Sequence, residues 1–320
     1  MPLITAPVVT PPDTGEGGST PVPLPEVGYA TAAYTDPTGR VWPLTDDEAG
    51  WFTLADGVSG LGAAPYELTS DPHPRGGSRL RYSHPQPRAI VWPLYVYGKT
   101  HDEFVGRWRS LATAFTRTLR EGPGWLEIAR PDGGRRRIAV HYQEGFEGRG
   151  AKGYGIVSDT AAVTLWCEDP YWLDPTAIGV HRETGTLGSF FAPYPTVSSS
   201  QVLGATTVKN PGDVVVWPAW TVTGPASLIT FTHEGTGESF ALDPTAVGHG
   251  TLLAGQRVTI STDPPSVRYQ DGSNWVGALD WPGAVLWGLP PGDNAVTFQL
   301  SGSGPGSAVD LTFNPRYETA

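Results

Sequence analysis

The stretch LWCEDPYWLDP, residues 165–175, gathers three aromatic residues and the chain's one cysteine around three carboxylates and two prolines. It closes a segment with apolar residues alternating at Ala161, Val163 and Leu165, the period of a β-strand. Two readings compete. Glu168, Asp169 and Asp174 could pair as the acid and nucleophile of a glycosidase, with Trp166, Tyr171 and Trp172 as a sugar platform. Alternatively, Asp169-Pro170 and Asp174-Pro175 are turn starts, in which Asp caps the turn and Pro fixes φ. No stretch of the chain supplies a nucleophile, a base and a group to orient it, so the structural reading is preferred and no enzymatic activity is expected. Cys167, beside Leu165 and Trp166 and with no histidine near it, reads as a buried, inert thiol. A single cysteine also excludes a disulfide framework and a thiolate zinc cage.

Working outward, 320 residues suggest two domains. With 39% hydrophobic and 17% charged residues the chain can build cores. Its 41 Gly and 32 Pro, with 12 Trp and 12 Tyr, suit short strands joined by tight turns, which points to a mainly β protein. The net charge of −11 is unevenly spread: residues 75–152 hold 15 of the 21 Lys and Arg against 7 Asp and Glu. Surfaces of opposite sign follow, suited to orienting neighbours or to facing nucleic acid. No signal peptide opens the sequence and no apolar run approaches 18 residues, so neither classical secretion nor membrane insertion is expected.

Residues 1–27 contain seven prolines and read as an extended arm. RAIVWPLYVYG (88–98) is a strong strand, with Pro93 arguing for an edge position or a bulge. One principal helix stands out. Thr100 and Glu103 form a capping box, Gly122 follows the last periodic residue, and Phe104, Trp108, Leu111, Phe115 and Leu119 share a face. Arg107, Arg109, Arg117 and Arg120 lie off that stripe and are candidates for contacts to other subunits or to a tube. WLEIAR and RRIAVHYQ flank PDGG as a hairpin. Residues 176–206, rich in Ser, Thr and Gly, read as a connector containing one or two strands. From 207 to 320, short strands at intervals near ten residues have the spacing of a β-sandwich.

The seven histidines show no ligand spacing and no phosphate- or dinucleotide-binding motif is present, so neither metal nor cofactor is expected. GRGAKGYG (148–155) enters a strand rather than a helix and reads as a hairpin-type loop. Arg135, Arg136 and Arg137 start a hairpin strand without an aromatic platform, which argues against a sequence-reading nucleic-acid module. Trp275, Trp281 and Trp287 are candidate stacking residues if the sandwich is instead a carbohydrate-binding module.

Taken in order, YTDPTGRVWPL, GVSGLGAAPYELTSDPHPRGG, RAIVWPLYVYG, the helix from Thr100, GWLEIARPDGGRRRIAVHY and LWCEDPYWLD resemble the distal tail proteins of long-tailed bacteriophages. VKNPGDVVVWPAWTVTGPAS, THEGTGESFAL, DGSNWVGAL and LPPGDNAVTFQLSG continue the resemblance, which covers most of residues 28–317. The resemblance implies an N-terminal split β-barrel hub domain over 28–175 and a galectin-like sandwich over 207–320, with 165–175 as the exit from the first. It also implies a structural virion protein whose copies, usually six, ring the distal end of the tail tube. The expected partners are further copies, the tail tube protein, a tail-tip hub or tail-associated protein and, in some members, a receptor-binding protein. Genome DNA would pass through the channel without specific binding. Assembly would occur in the host cytoplasm and the protein would reside in the virion tail. The same resemblance admits a receptor-binding accessory, or the ring protein of a contractile injection particle.

Overall fold

The computed structural model describes residues 30–148, 156–184 and 202–320. The proline-rich arm, the glycine-rich loop beyond Gly148 and residues 185–201 of the connector lie outside them.

The first half is organised by one antiparallel sheet and a helix. Strands β1 (Thr31–Thr35), β2 (Val41–Pro43) and β3 (Trp51–Thr53) come first. A separate hairpin, β4 (Tyr66–Pro72) and β5 (Ser78–Pro85), precedes the long β6 (Arg88–Tyr97). Helices α1 (His101–Thr116) and α2 (Thr118–Glu121) lead to β7 (Gly124–Ala129), β8 (Arg135–Glu144), β9 (Ser158–Cys167) and the short β10 (Trp172–Leu173). The strand order is β2-β1-β7-β8-β9-β6-β3. Its two ends nearly meet: Thr53 N–H donates to the Leu44 carbonyl at 2.8 Å and the Trp51 indole to the Pro43 carbonyl at 2.7 Å. The sheet is thus an almost closed barrel, which leaves little unpaired edge.

Alternation fills the interior. Ala161, Val163, Leu165 and Cys167 of β9 face inward, as do Ile90, Trp92, Leu94 and Val96 of β6. Helix α1 packs onto this layer through Phe104, Leu111 and Phe115. The Tyr34 ring stacks on Phe115 with centroids 4.3 Å apart, and its hydroxyl donates to the Ala114 carbonyl at 3.1 Å. Burying one such aromatic side chain contributes about 2–3 kcal/mol.

The helix begins where the sequence predicts. Thr100 Oγ1 accepts the Glu103 amide at 3.2 Å, although the Glu103 carboxylate reaches back to the Lys99 amide rather than to that of Thr100. The far end differs from expectation. The helix breaks at Arg117 because buried Thr118 turns inward, donating to the Phe115 carbonyl and accepting the Tyr142 amide of β8, both at 2.8 Å. That rotation sends Leu119 out of the apolar stripe, leaving it 61% exposed. Pro93 also departs from expectation. Strand β6 lies inside the sheet, and Pro93 sits where β3 ends: its carbonyl still accepts the Leu54 amide at 3.0 Å, while the return bond that its missing N–H would make is absent just past the last ladder pair, Thr53 with Leu94.

The second half is a sandwich of two antiparallel sheets. Its strands are β11 (Ile178–Glu183), β12 (Val202–Asn210), β13 (Ala219–Thr223), β14 (Leu228–His233) and β15 (Glu238–Leu242), then β16 (Arg257–Thr262), β17 (Pro265–Tyr269), β18 (Gly292–Ser301) and β19 (Ala308–Phe313). The orders are β11-β19-β13-β16-β17 and β12-β18-β14-β15. Trp220 joins the two sheets, stacked on Phe231 at 4.6 Å and meeting Trp287 and Phe298 edge-on at 4.8 and 5.5 Å. A final strand, β20 (Arg316–Tyr317), leaves the sandwich and pairs with β10 in the first sheet.

The stretch 165–175 is settled by this arrangement. Asp169 Oδ1 accepts the Tyr171 amide at 3.2 Å and Asp174 Oδ1 accepts the Thr176 amide at 2.8 Å, as turn starts do. Arg316 clamps Asp169 at 2.7 Å and lies over the Tyr171 ring, while Trp172 is fully buried. Asp169 and Asp174 thus fasten a junction, and with Trp172 buried and Tyr171 under Arg316, Trp166 alone of the three aromatics stands open, 38% exposed. Cys167 is fully buried, and burial pushes its thiol up to about 12, with Arg88 partly opposing the rise. The native protein should therefore resist iodoacetamide at pH 8 and be alkylated only when unfolded. Rapid stoichiometric labelling without denaturant would contradict this burial.

Candidate functional site

Three exposed features could meet other molecules. The first is the β4–β5 ribbon, which belongs to neither the barrel nor the sandwich. Its register pairs Tyr66 with Pro85, Leu68 with Ser83 and Ser70 with Leu80, with a bulge after Thr69. Paired residues share a face, so Tyr66, Leu68, Leu80 and Pro85 line one side. Glu67, Thr69, Asp71, Arg79, Tyr82 and His84 line the other. Leu68 is 63% and Leu80 55% exposed. An isolated two-stranded ribbon is marginal in water, so this one depends on its anchorage. The Tyr66 hydroxyl donates to Glu318 Oε1 at 2.7 Å and lies 2.9 Å from the Tyr171 hydroxyl, and Glu318 Oε2 accepts the Ala64 amide at 3.0 Å. Arg88, buried beneath, donates to the carbonyls of Gly60, Gly62 and Glu318 at 3.0, 2.7 and 3.0 Å. Gly60 is required there: its φ is +86° and a Cβ would stand 2.3 Å from the Ala89 carbonyl. The sequence reading did not identify this ribbon, although Pro74-Arg75-Gly76-Gly77 between YELTSDP and SRLRYSHP is a turn signal.

The second feature is the outer side of α1. The four arginines proposed there do not behave alike. Arg107 is engaged within the chain: it donates to the Tyr97 carbonyl at 2.6 Å and pairs with Glu103 at 2.7 Å. This leaves it poorly placed to bind another subunit. Arg120 is exposed beyond the helix break. Arg109 and Arg117 instead come together, with Arg40, Trp42, Ser110 and Asp36, around a cleft of about 260 Å³. Asp36 lies at its base with its carboxylate fully served. Oδ1 accepts the Thr38 and Arg40 amides at 2.9 and 3.2 Å, and Oδ2 accepts the Trp42 indole at 3.1 Å. Burial alone would raise this carboxyl, but these donors outweigh it and hold the group below the usual carboxylate value. Arg117 stands 3.8 Å from Asp36, and the Arg40 guanidinium lies 4.1 Å over the Trp42 ring.

The third feature is the tryptophan set of the sandwich, and here the expectation is corrected. Trp287 and Trp275 are buried in the core, the latter stacked on Tyr269 at 4.6 Å, so neither presents a face to a sugar ring. Of the three candidates Trp281 alone is open, 58% exposed, with its indole donating to the Val276 carbonyl at 3.1 Å. Among the described residues no group of three or more His, Cys, Asp or Glu could hold a metal ion, and no helix is long and apolar enough to cross a membrane.

No family model matches the chain, and no curated protein matches it significantly. Solved structures do. The Dit protein of phage SPP1, described as a paradigm of the hub adsorption apparatus in phages infecting Gram-positive hosts, superposes with a TM-score of 0.63 at 15% identity, covering 90% of this chain and 99% of that one. A chain of the phage P2 baseplate in its activated conformation with calcium superposes with a TM-score of 0.53 at 11% identity, covering 91% and 100%. The strontium form gives 0.52 at 11% identity, covering 92% and 100%. The two-part architecture, barrel and sandwich together, is therefore a fold this chain shares with the SPP1 Dit protein and the P2 baseplate chain.

Proposed function

We propose that this chain is a structural subunit of a phage tail tip, copies of which close into a ring at the distal end of the tail tube. The channel so formed would pass the genome without binding it specifically, and the sandwich would face outward toward receptor-binding or other tip proteins. The tube protein on one side and a tail-tip hub protein on the other are the expected neighbours. We assign the chain no catalytic step. The observation that carries this reading is the β4–β5 ribbon, on whose apolar face Leu68 and Leu80 stand largely in solvent among the described residues. Such a ribbon gains stability when it lies against a neighbouring copy. The shared fold supports the same reading.

Light scattering of the full-length protein, with negative-stain images of the same fraction, tests it. A closed hexamer of 34.1 kDa chains has a mass of about 205 kDa and a central hole. A monomer at every concentration, with or without the tube protein, would rule the ring out.

A further inference from the structure

The cleft beside α1 holds more positive charge than the chain answers. Three guanidinium groups, from Arg40, Arg109 and Arg117, line it around the Asp36 carboxylate, which already accepts several hydrogen bonds, and the nearby Glu121 carboxylate reaches Arg117 alone, at 4.0 Å. Among the described residues, Arg109 has no ion-pair partner and Arg40 has only the Trp42 ring. Like charges so placed repel unless an anion joins them. Guanidinium forks in particular suit carboxylates, which they bind through two parallel hydrogen bonds.

The same half of the molecule presents the complement. A single 3-10 turn, Asp47–Ala49, is capped by Asp46, whose Oδ1 accepts the Glu48 amide at 3.0 Å. It is closed by Gly50 at a φ of +88°, where a Cβ would collide with the Arg107 guanidinium. The Tyr97 hydroxyl donates to the Asp47 carbonyl at 2.5 Å. The turn is thus held firmly, while the Asp47 and Glu48 carboxylates are exposed and make no ion pair with another described residue. Ordering it on binding costs little. The turn lies against the end of β6, at Tyr97, and against Arg107 of α1, whereas the cleft follows the rest of α1 from Arg109 to Arg117 at its C-terminal end. Arg117 lies ten positions beyond Arg107, a rise of about 15 Å along the helix axis. Complementary patches displaced along one body are what repeated association of identical subunits uses.

We propose that the Arg40–Arg109–Arg117 cleft is a carboxylate socket whose occupant is the Asp47–Glu48 turn of a second copy of this chain. This rests on the ring reading and names the residues that meet. Dilution series of the full-length protein followed by light scattering give the concentration of half-assembly. Arg109→Glu raises it about tenfold or more, and so does Asp47→Lys, as for a desolvated charge pair. The double variant Arg109→Glu with Asp47→Lys assembles no worse than either single one, whereas independent sites would multiply to about a hundredfold. If the unaltered protein forms rings but neither reversal moves the midpoint, or only the arginine change does, the socket or its occupant is wrong and the ring stands. If the unaltered protein never leaves the monomer, the ring reading fails and this pairing fails with it.

Discussion

Leu68→Asp combined with Leu80→Asp yields a folded chain of 34.1 kDa that no longer assembles. Both side chains are largely in solvent in the single chain, on the same face of a ribbon outside either core. Surface changes of this kind alter stability by no more than about 0.5 kcal/mol. In an assembly the face would be covered, and each leucine would contribute about 1.5–3 kcal/mol by burial. Replacing them removes that gain and adds the cost of desolvating two carboxylates. The sum exceeds about 4 kcal/mol, or roughly three orders of magnitude in the association constant. Light scattering reports the mass and circular dichroism the fold. A variant that still runs near the hexamer mass, correctly folded, shows that this face is not the contact.

Trp220→Ala has the largest expected effect on stability, about 3–5 kcal/mol lost from the sandwich. The ring is fully buried and touches Phe231, Phe240, Trp287 and Phe298, so its removal opens a cavity between two sheets that cannot close over it. Trp220→Phe should cost much less. The indole N–H of Trp220 is buried without a hydrogen-bond partner, so losing it relieves an unsatisfied donor worth about 1–3 kcal/mol and offsets part of the lost volume. Denaturant titrations of the two variants separate these effects. Equal destabilisation by Ala and Phe would mean the N–H is not the burden that its surroundings imply.

Local signals in the sequence were read most reliably where the physics is local. Thr100 caps a helix because a side-chain hydroxyl within reach of the Glu103 amide suffices. Asp169 and Asp174 start turns for the same reason. Leu119 shows the limit: its periodicity is correct, but Thr118 finds a better partner in Tyr142, across 24 positions, and ends the helix first. The tryptophans show another. Trp275, Trp281 and Trp287 look alike in sequence, and only the packing of two sheets decides that one remains open. The arginine cleft was half visible, since Arg109 lies on α1 and Arg117 caps its end, but Arg40 and Asp36 reach it from the β1–β2 turn.

The strand β20 has a consequence for how the molecule is made. It pairs with β10, and its Arg316 clamps Asp169 from 147 positions away, while Glu318 holds Tyr66 from 252. All nine strands of the sandwich are synthesised before these residues emerge. The first half therefore receives its last strand, the cover over Arg88 and the anchor of its ribbon only after the second half exists. Contacts of such separation form late in folding. A nascent chain with its barrel largely formed thus carries a ribbon without these anchors until residues 316–318 have emerged. The order of synthesis thus leaves the ribbon the last part of the first half to be fastened.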